Sequence, residues 1–181
     1  MQLFFSDIKP IILAQLTSAN NEILIAVSWL TDREIFTVLL NKLKAGIPVS
    51  IITRNDYLNN HAAALPWPQF IKLGGKLRFC QPGKMLHYKF CVIDGNKAFL
   101  TSYNWTCFAG SNNRENITLI DEADAIKSFT EEFNYLSQLF PLETSPARIE
   151  MQTINPKLQG FYEITINDDE KNQNVNSIAT E

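Results

Sequence analysis

Long apolar runs are missing from this chain of 181 residues. None reaches the roughly 18 residues that a membrane-spanning helix requires, so no stable membrane association is expected. The opening, Met1-Gln2-Leu3-Phe4-Phe5-Ser6-Asp7, puts no basic segment ahead of an apolar one, and no secretory leader is expected. Cysteine is scarce, at three residues without metal-type spacing. Cys80 and Cys91 fall in predicted strands and read as small core residues. That usage points to a reducing compartment, the cytoplasm. There are only two histidines, and no acidic group sits at ligand spacing. This argues against a metal centre, and no cofactor is expected. No internal repeat is present.

What is there is enough for one domain with a proper core: 45% of the residues are hydrophobic. The net charge of -3 is unevenly spread. Residues 33–114 hold eleven basic and three acidic residues, a balance of +8, whereas 115–181 carry a balance of -9. A basic middle suits a polyanionic partner such as nucleic acid.

In chain order, Leu3 to Phe5 reads as a short strand. Ser6 or Asp7 can cap a helix with Pro10 in its first turn and Ile8, Ile11, Ile12 and Leu16 on its apolar face. Ile23 to Val27 reads as a buried strand. Thr31-x-x-Glu34 is a capping box for a helix carrying Ile35, Phe36, Leu39, Leu40 and Leu43, which Gly46 ends. Val49 to Thr53 is a second buried strand, so a parallel pair with a right-handed crossover is expected. A short helix is placed near Trp67 to Leu73, and His61 reads as a surface residue. Lys76 to Cys80 is a strand, and Gln81-Pro82-Gly83 a turn. Asp121 can cap a last helix with Ile126, Phe129, Phe133, Leu136 and Leu139 on one face, stopped by Pro141. Three segments follow: a catalytic domain over 1–141, an extension over 142–166 with an edge strand or docking segment at Phe161 to Ile166, and an acidic, disordered tail over 167–181.

The chemistry concentrates between Met85 and Asn116. Along a strand His87, Lys89, Cys91 and Ile93 share one face, while Tyr88, Phe90 and Val92 share the other. Asp94-Gly95 is a hairpin turn, and Ala98 to Thr101 the return strand. Ser102, Asn104 and Glu115 follow, ahead of a strand at Ile117 to Ile120. His87-x-Lys89-x4-Asp94-Gly95 resembles the HKD signature of the phospholipase D superfamily. Thr101-Ser102-Tyr103-Asn104-Trp105-Thr106 and Arg114-Glu115-Asn116 are similar to the elements that accompany it. The spacing agrees with the superfamily's small single-motif nucleases. Thr101 stands where the family commonly has Gly. The resemblance covers residues 1 to about 140. It implies a single α/β domain with a mixed, largely parallel central sheet and helices on both faces.

The resemblance further implies a metal-independent phosphodiesterase, an endonuclease acting on DNA or RNA in the first instance. Lipid phosphodiester hydrolysis or transfer, or a non-catalytic binding module, are the alternatives. Covalent catalysis by imidazole splits one displacement into two, but needs a second imidazole as acid. A two-fold homodimer supplies it by bringing two copies of His87 to one site. One would attack phosphorus, and the other would protonate the leaving oxygen and then activate water. Lys89 and Asn104 would bind phosphoryl oxygens, and Ser102 would join them or support its neighbours. Glu115 would accept from the far imidazole nitrogen and fix the tautomer. Asp94 is either catalytic or a turn residue. Trp105 either stacks on a base at the mouth of the site or packs in the core. Arg54, Lys84 and Arg114 are either phosphate contacts or solvated charges.

Overall fold

Two apolar segments with no polar face, Ile23–Val27 (β2) and Val49–Arg54 (β3), are buried on both sides and lie parallel in the middle of a sheet. Between them runs α2 (Arg33–Lys44), whose Ile35, Phe36, Leu39 and Leu43 face the core. In this computed structural model, which describes residues 1–80, 86–107 and 113–149, the remaining elements extend that βαβ unit in both directions. On one side lies β4 (Lys76–Cys80), parallel to β3, reached through the short helices α3 (Tyr57–Asn60) and α4 (Trp67–Lys72). On the other side β5 (Lys89–Ile93) pairs antiparallel with β2 and hairpins into β6 (Lys97–Thr101). Beyond β6 come β7 (Ile117–Ile120) and β1 (Gln2–Phe4), both antiparallel to their neighbours. The order is β1-β7-β6-β5-β2-β3-β4. The sheet is mixed, as expected. It is not largely parallel: β2–β3 and β3–β4 are the parallel pairings, and the other four are antiparallel, β5–β6 through a tight hairpin.

Alternation along the strands separates two apolar layers. Ile25, Ile51, Cys91 and Phe99 face α1 (Ile8–Ser18), α2 and α4. Ala26, Ile52, Phe90 and Ala98 face α5 (Ala123–Leu139), through Ile126, Phe133 and Leu136. Helices thus cover both faces, and Cys80 and Cys91 are buried between them. Burial pushes the Cys91 thiol well above its ordinary value.

Three caps differ from the expected ones. Asp32, not Thr31, caps α2: its Oδ1 accepts from the backbone N–H of Glu34 and Ile35 at 2.9 and 3.0 Å. A carboxylate is the better acceptor, and Glu34 is drawn instead to Lys9, 2.9 Å away. Asp7 precedes α1 with φ 55° and contributes only its carbonyl, to Ile11 N–H. Glu122 occupies the cap position of α5 without a side-chain bond, and Asp121 pairs with the Met1 amino group at 2.9 Å. Leu139, expected on the apolar face, is 42% exposed.

After α5 the chain docks. Leu142 bridges to Arg78 on β4, and Glu143 N–H donates to Leu77 C=O at 2.8 Å. Arg148 then donates to the Asn60 side chain and to Leu65 C=O. The expected turn at Gln81-Pro82-Gly83, the segment at 161–166 and the tail at 167–181 lie outside the described residues.

At the β5–β6 turn Asp94 and Gly95 both have positive φ, 55° and 64°, the two-residue pattern that matches strand twist. The Asp94 carboxylate accepts from the backbone N–H groups of Asn20, Asn21 and Glu22 at 2.7–3.0 Å, which pins the α1–β2 loop. Burial works against the charged form here, but those three N–H groups outweigh it and lower the carboxyl below its ordinary 3.8. Asp94→Asn keeps the backbone preference and removes the charge. It should cost about 1–3 kcal/mol in urea unfolding at neutral pH. A lowered carboxyl stabilises fully above its unfolded value and loses that contribution as pH falls through the folded one. The two proteins should therefore converge in stability below pH 3.8.

Candidate active site

Antiparallel pairing puts the start of β5, the ends of β2, β3 and β6 and the start of β7 at one end of the sheet, since Val27 pairs with Lys89 and Thr101 with Ile117. His87 and Lys89 arrive there from β5, Ser28 and Trp29 from β2, Arg54 from β3, Ser102 and Asn104 from β6, and Glu115 from the approach to β7. Asp94 is at the other end. Seven residues of extended chain, about 23 Å, separate it from His87, so it is a turn anchor and not part of this cluster.

Lys89 is 6% exposed. Its ammonium donates to His87 Nε2 at 3.2 Å, to His87 C=O at 3.1 Å and to Ser28 Oγ at 3.4 Å. An ammonium has no lone pair, so His87 Nε2 is the acceptor and the ring proton sits on Nδ1. His87 itself is exposed. Partial burial first, then the Lys89 and Arg54 charges, lower its basicity below the ordinary 6.5. Lys89 is lowered mainly by burial and further by Arg54, with Glu115 opposing. The imidazole is thereby held neutral, with a lone pair available beside a fixed cation.

Ser102 and Glu115 form a second group. Ser102 Oγ donates to Glu115 Oε2 in a short contact and accepts from Asn116 N–H at 3.0 Å. In the single chain the recorded partner of Glu115 is therefore Ser102, rather than the imidazole that was expected. The two are held together because Thr101 pairs with Ile117 and Ser102 N–H donates to Asn116 C=O. Asn104 is half-buried with its Oδ1 turned inward, where no hydrogen-bond partner meets it.

Two residues left open between a substrate contact and a structural role, Trp105 and Arg54, are both buried. Trp105 is fully buried and stacked on Phe99, ring centroids 5.8 Å apart. Its backbone holds Thr31 and Asp32 N–H at 2.9 and 3.0 Å. It is a core residue, because past the end of β6 an isolated bridge to Leu30 turns it inward. Arg54 is 8% exposed, with Nε 3.1 Å from Asp56 Oδ2 and its guanidinium 4.9 Å from the Trp29 ring centroid. It belongs to the site's wall. Arg114 is exposed, and Lys84 lies outside the described residues. His61, expected at the surface, is half-buried and stacks on Tyr57 at 5.0 Å.

Sequence reasoning missed Ser28, Trp29, Asp56 and Asn59. Asn59 is fully buried; its side chain accepts from Leu30 N–H and donates to Ser28 C=O and Arg54 C=O. The available signal was positional: polar residues just past the carboxyl ends of buried parallel strands mark ligand crevices. Among the described residues no three His, Cys, Asp or Glu side chains converge as metal ligands.

The chain belongs to the phospholipase D-like family: the family model described as "Cardiolipin synthase, PLD-like domain" matches residues 12–137. A mitochondrial cardiolipin hydrolase from Chlamydomonas reinhardtii is 31% identical over 125 residues, 69% of this chain and 55% of that protein. The chain thus spans a little over half the length of that relative. Among solved structures, the phospholipase D family member Nuc from Salmonella typhimurium superposes with a TM-score of 0.71 at 21% identity, covering 80% of this chain and 97% of that one. TrmBL2, an archaeal chromatin protein whose structure shows a mode of DNA binding, superposes at 0.59 with 18% identity, covering 77% and 52%. These two likenesses show the fold.

A core tryptophan and a base-stacking one respond differently to truncation. Trp105→Ala should cost about 3–5 kcal/mol in urea unfolding, whereas loss of a solvent-facing ring would leave the midpoint nearly unchanged.

Proposed function

We propose that the chain is a metal-independent phosphodiesterase, and that nucleic acid is its substrate. The observation that carries the reading is the His87–Lys89 pair: a neutral, exposed imidazole 3.2 Å from a nearly buried ammonium. A nucleophile and a cation for the phosphoryl oxygens are then one hydrogen bond apart. The +8 balance of residues 33–114 supports a polyanion.

In this reading His87 attacks phosphorus and the bond to the leaving oxygen breaks, giving a phosphohistidine. A second imidazole, entering protonated from solvent once the phosphate's negative charge stands beside it, gives that proton to the leaving oxygen, then takes one from water, whose oxygen attacks phosphorus and displaces the histidine. Lys89 and Asn104 hold the phosphoryl oxygens. The pair Ser102–Glu115 supports the site's floor. His61 stacks on Tyr57 near α3, so the second imidazole is His87 of a second copy, and the working unit is a homodimer. The sheet face bearing Leu3 and Leu100 supports self-association: both lie in register with Thr118, and they are 53% and 43% exposed.

A second reading, hydrolysis of a phospholipid such as cardiolipin, is favoured by the 31% identity to a cardiolipin hydrolase. The same chemistry at phosphorus serves both.

Purified full chain is incubated in EDTA with labelled single- and double-stranded DNA and RNA, and in parallel with cardiolipin-containing vesicles. Cleavage of nucleic acid in EDTA, reduced by at least about 10³-fold in His87→Ala, is the expected result, with an acid-labile phosphorylated protein trapped on rapid quench. Cleavage only with added divalent metal, or equal cleavage by the variant, rejects the mechanism. Lipid hydrolysis with nucleic acid intact transfers it to the second reading. Sedimentation should give a dimer mass.

A further inference from the structure

Behind His87 lies a buried assembly that the proposed chemistry does not use. Trp29, Arg54 and Asp56 are 4%, 8% and 3% exposed. Asp56 Oδ2 accepts from Trp29 Nε1 at 2.8 Å and pairs with Arg54 Nε at 3.1 Å. Asp56 Oδ1 accepts from Asn59 N–H at 3.1 Å and so caps α3. The guanidinium sits 4.9 Å from the indole centroid, within the range of cation–π attraction. The indole in turn meets the His87 ring edge-on, centroids 6.2 Å apart and planes at 84°. One buried carboxylate therefore orients both an indole and a guanidinium, and the indole orients the imidazole.

A burial of this depth changes the part Arg54 can play. A guanidinium that grips phosphate needs its fork open to the ligand, whereas this one is committed along one edge to Asp56 and lies over Trp29. Its charge nevertheless reaches the imidazole through a poorly solvated wall, where Coulomb interactions are several times stronger than in water. We propose that Asp56, Arg54 and Trp29 are positioning residues that fix the ring of His87 and the electric field around it, so that Arg54 acts on the nucleophile and not on the phosphate.

The charged groups acting on His87 are Lys89 from β5 and Arg54 from β3, with Asp56, just ahead of α3, paired to Arg54 and Glu115, from the approach to β7, near Lys89. Arg54 and Asp56 oppose one another. Removing the guanidinium takes a cation away from the imidazole and should make it easier to protonate. Removing the carboxylate leaves Arg54 uncompensated and should make it harder. Asp56 is itself raised by burial, against the pull of the Asn59 N–H, Arg54 and Trp29. A purely structural role predicts no such opposition of sign.

The inference rests on His87 being the nucleophile, but its readout does not need turnover. With only two histidines in the chain, nuclear magnetic resonance of histidine-labelled full-length protein follows each imidazole separately, and His61→Gln assigns the signals. In Arg54→Met the protonation constant of His87 should rise about three- to tenfold. In Asp56→Asn, which keeps the α3 cap through the Oδ1 oxygen and gives up the oxygen that faces Trp29 and Arg54, it should fall. His61 should stay put in both variants. Opposite movements of His87 establish the device. Movement in the same direction, or none in either variant, overturns it. If Arg54→Met does not fold, the sign in Asp56→Asn decides alone. Should nucleic acid prove not to be a substrate, the titration still stands or falls by itself.

Discussion

An ammonium taken almost out of water, with only neutral acceptors within hydrogen-bond reach among the described residues, sets the terms for everything near it. Lys89 is met by an imidazole nitrogen, a carbonyl and a hydroxyl, none of which cancels its charge. Burying a cation this way is costly unless an anion completes the site. The sheet accommodates it by bringing five strand ends to one place, where dipoles from Ser28 and His87 stand in for water. In the proposed reading a phosphoryl group would supply the missing negative charge there and meet a neutral imidazole already in contact with the cation. Burial and like charge, which lower the basicity of both groups, are thus the same physical fact as the readiness to take an anion.

The strands and most helices were legible because their signals are local. Ile23–Val27 and Lys76–Cys80 stand where apolar pattern puts them, and the alternation of His87, Lys89 and Cys91 against Phe90 and Val92 carries over into the two core layers. Caps were less legible. Thr31 and Asp32 are adjacent, and which one closes α2 depends on Lys9, twenty-three residues away in sequence, drawing Asp32 and Glu34 together.

The site was legible as a set of residue types and less so as a set of partners. His87, Lys89, Ser102, Asn104 and Glu115 do gather at one end of the sheet. Asp94 is carried to the opposite end by the strand that follows Lys89, which no motif spacing reveals. Trp105 alternates inward on a chain that is no longer regular strand. Glu115 meets Ser102 through the β6–β7 pairing, a contact set by register over a loop. The Asp56–Trp29–Arg54 assembly joins three segments of the chain with no shared local pattern, and only the fold brings them together.

The segment after α5 has an effect beyond packing. Leu142 and Glu143 bond to β4 along its outer margin, occupying backbone groups that an edge strand would otherwise offer to another chain. Growth of the sheet by strand addition is blocked on that side. Among the described residues the three-residue β1 is the other margin, and its shortness makes it a poor template. Two copies that meet must do so across faces or around the strand ends, which leaves the end carrying His87 free to be shared.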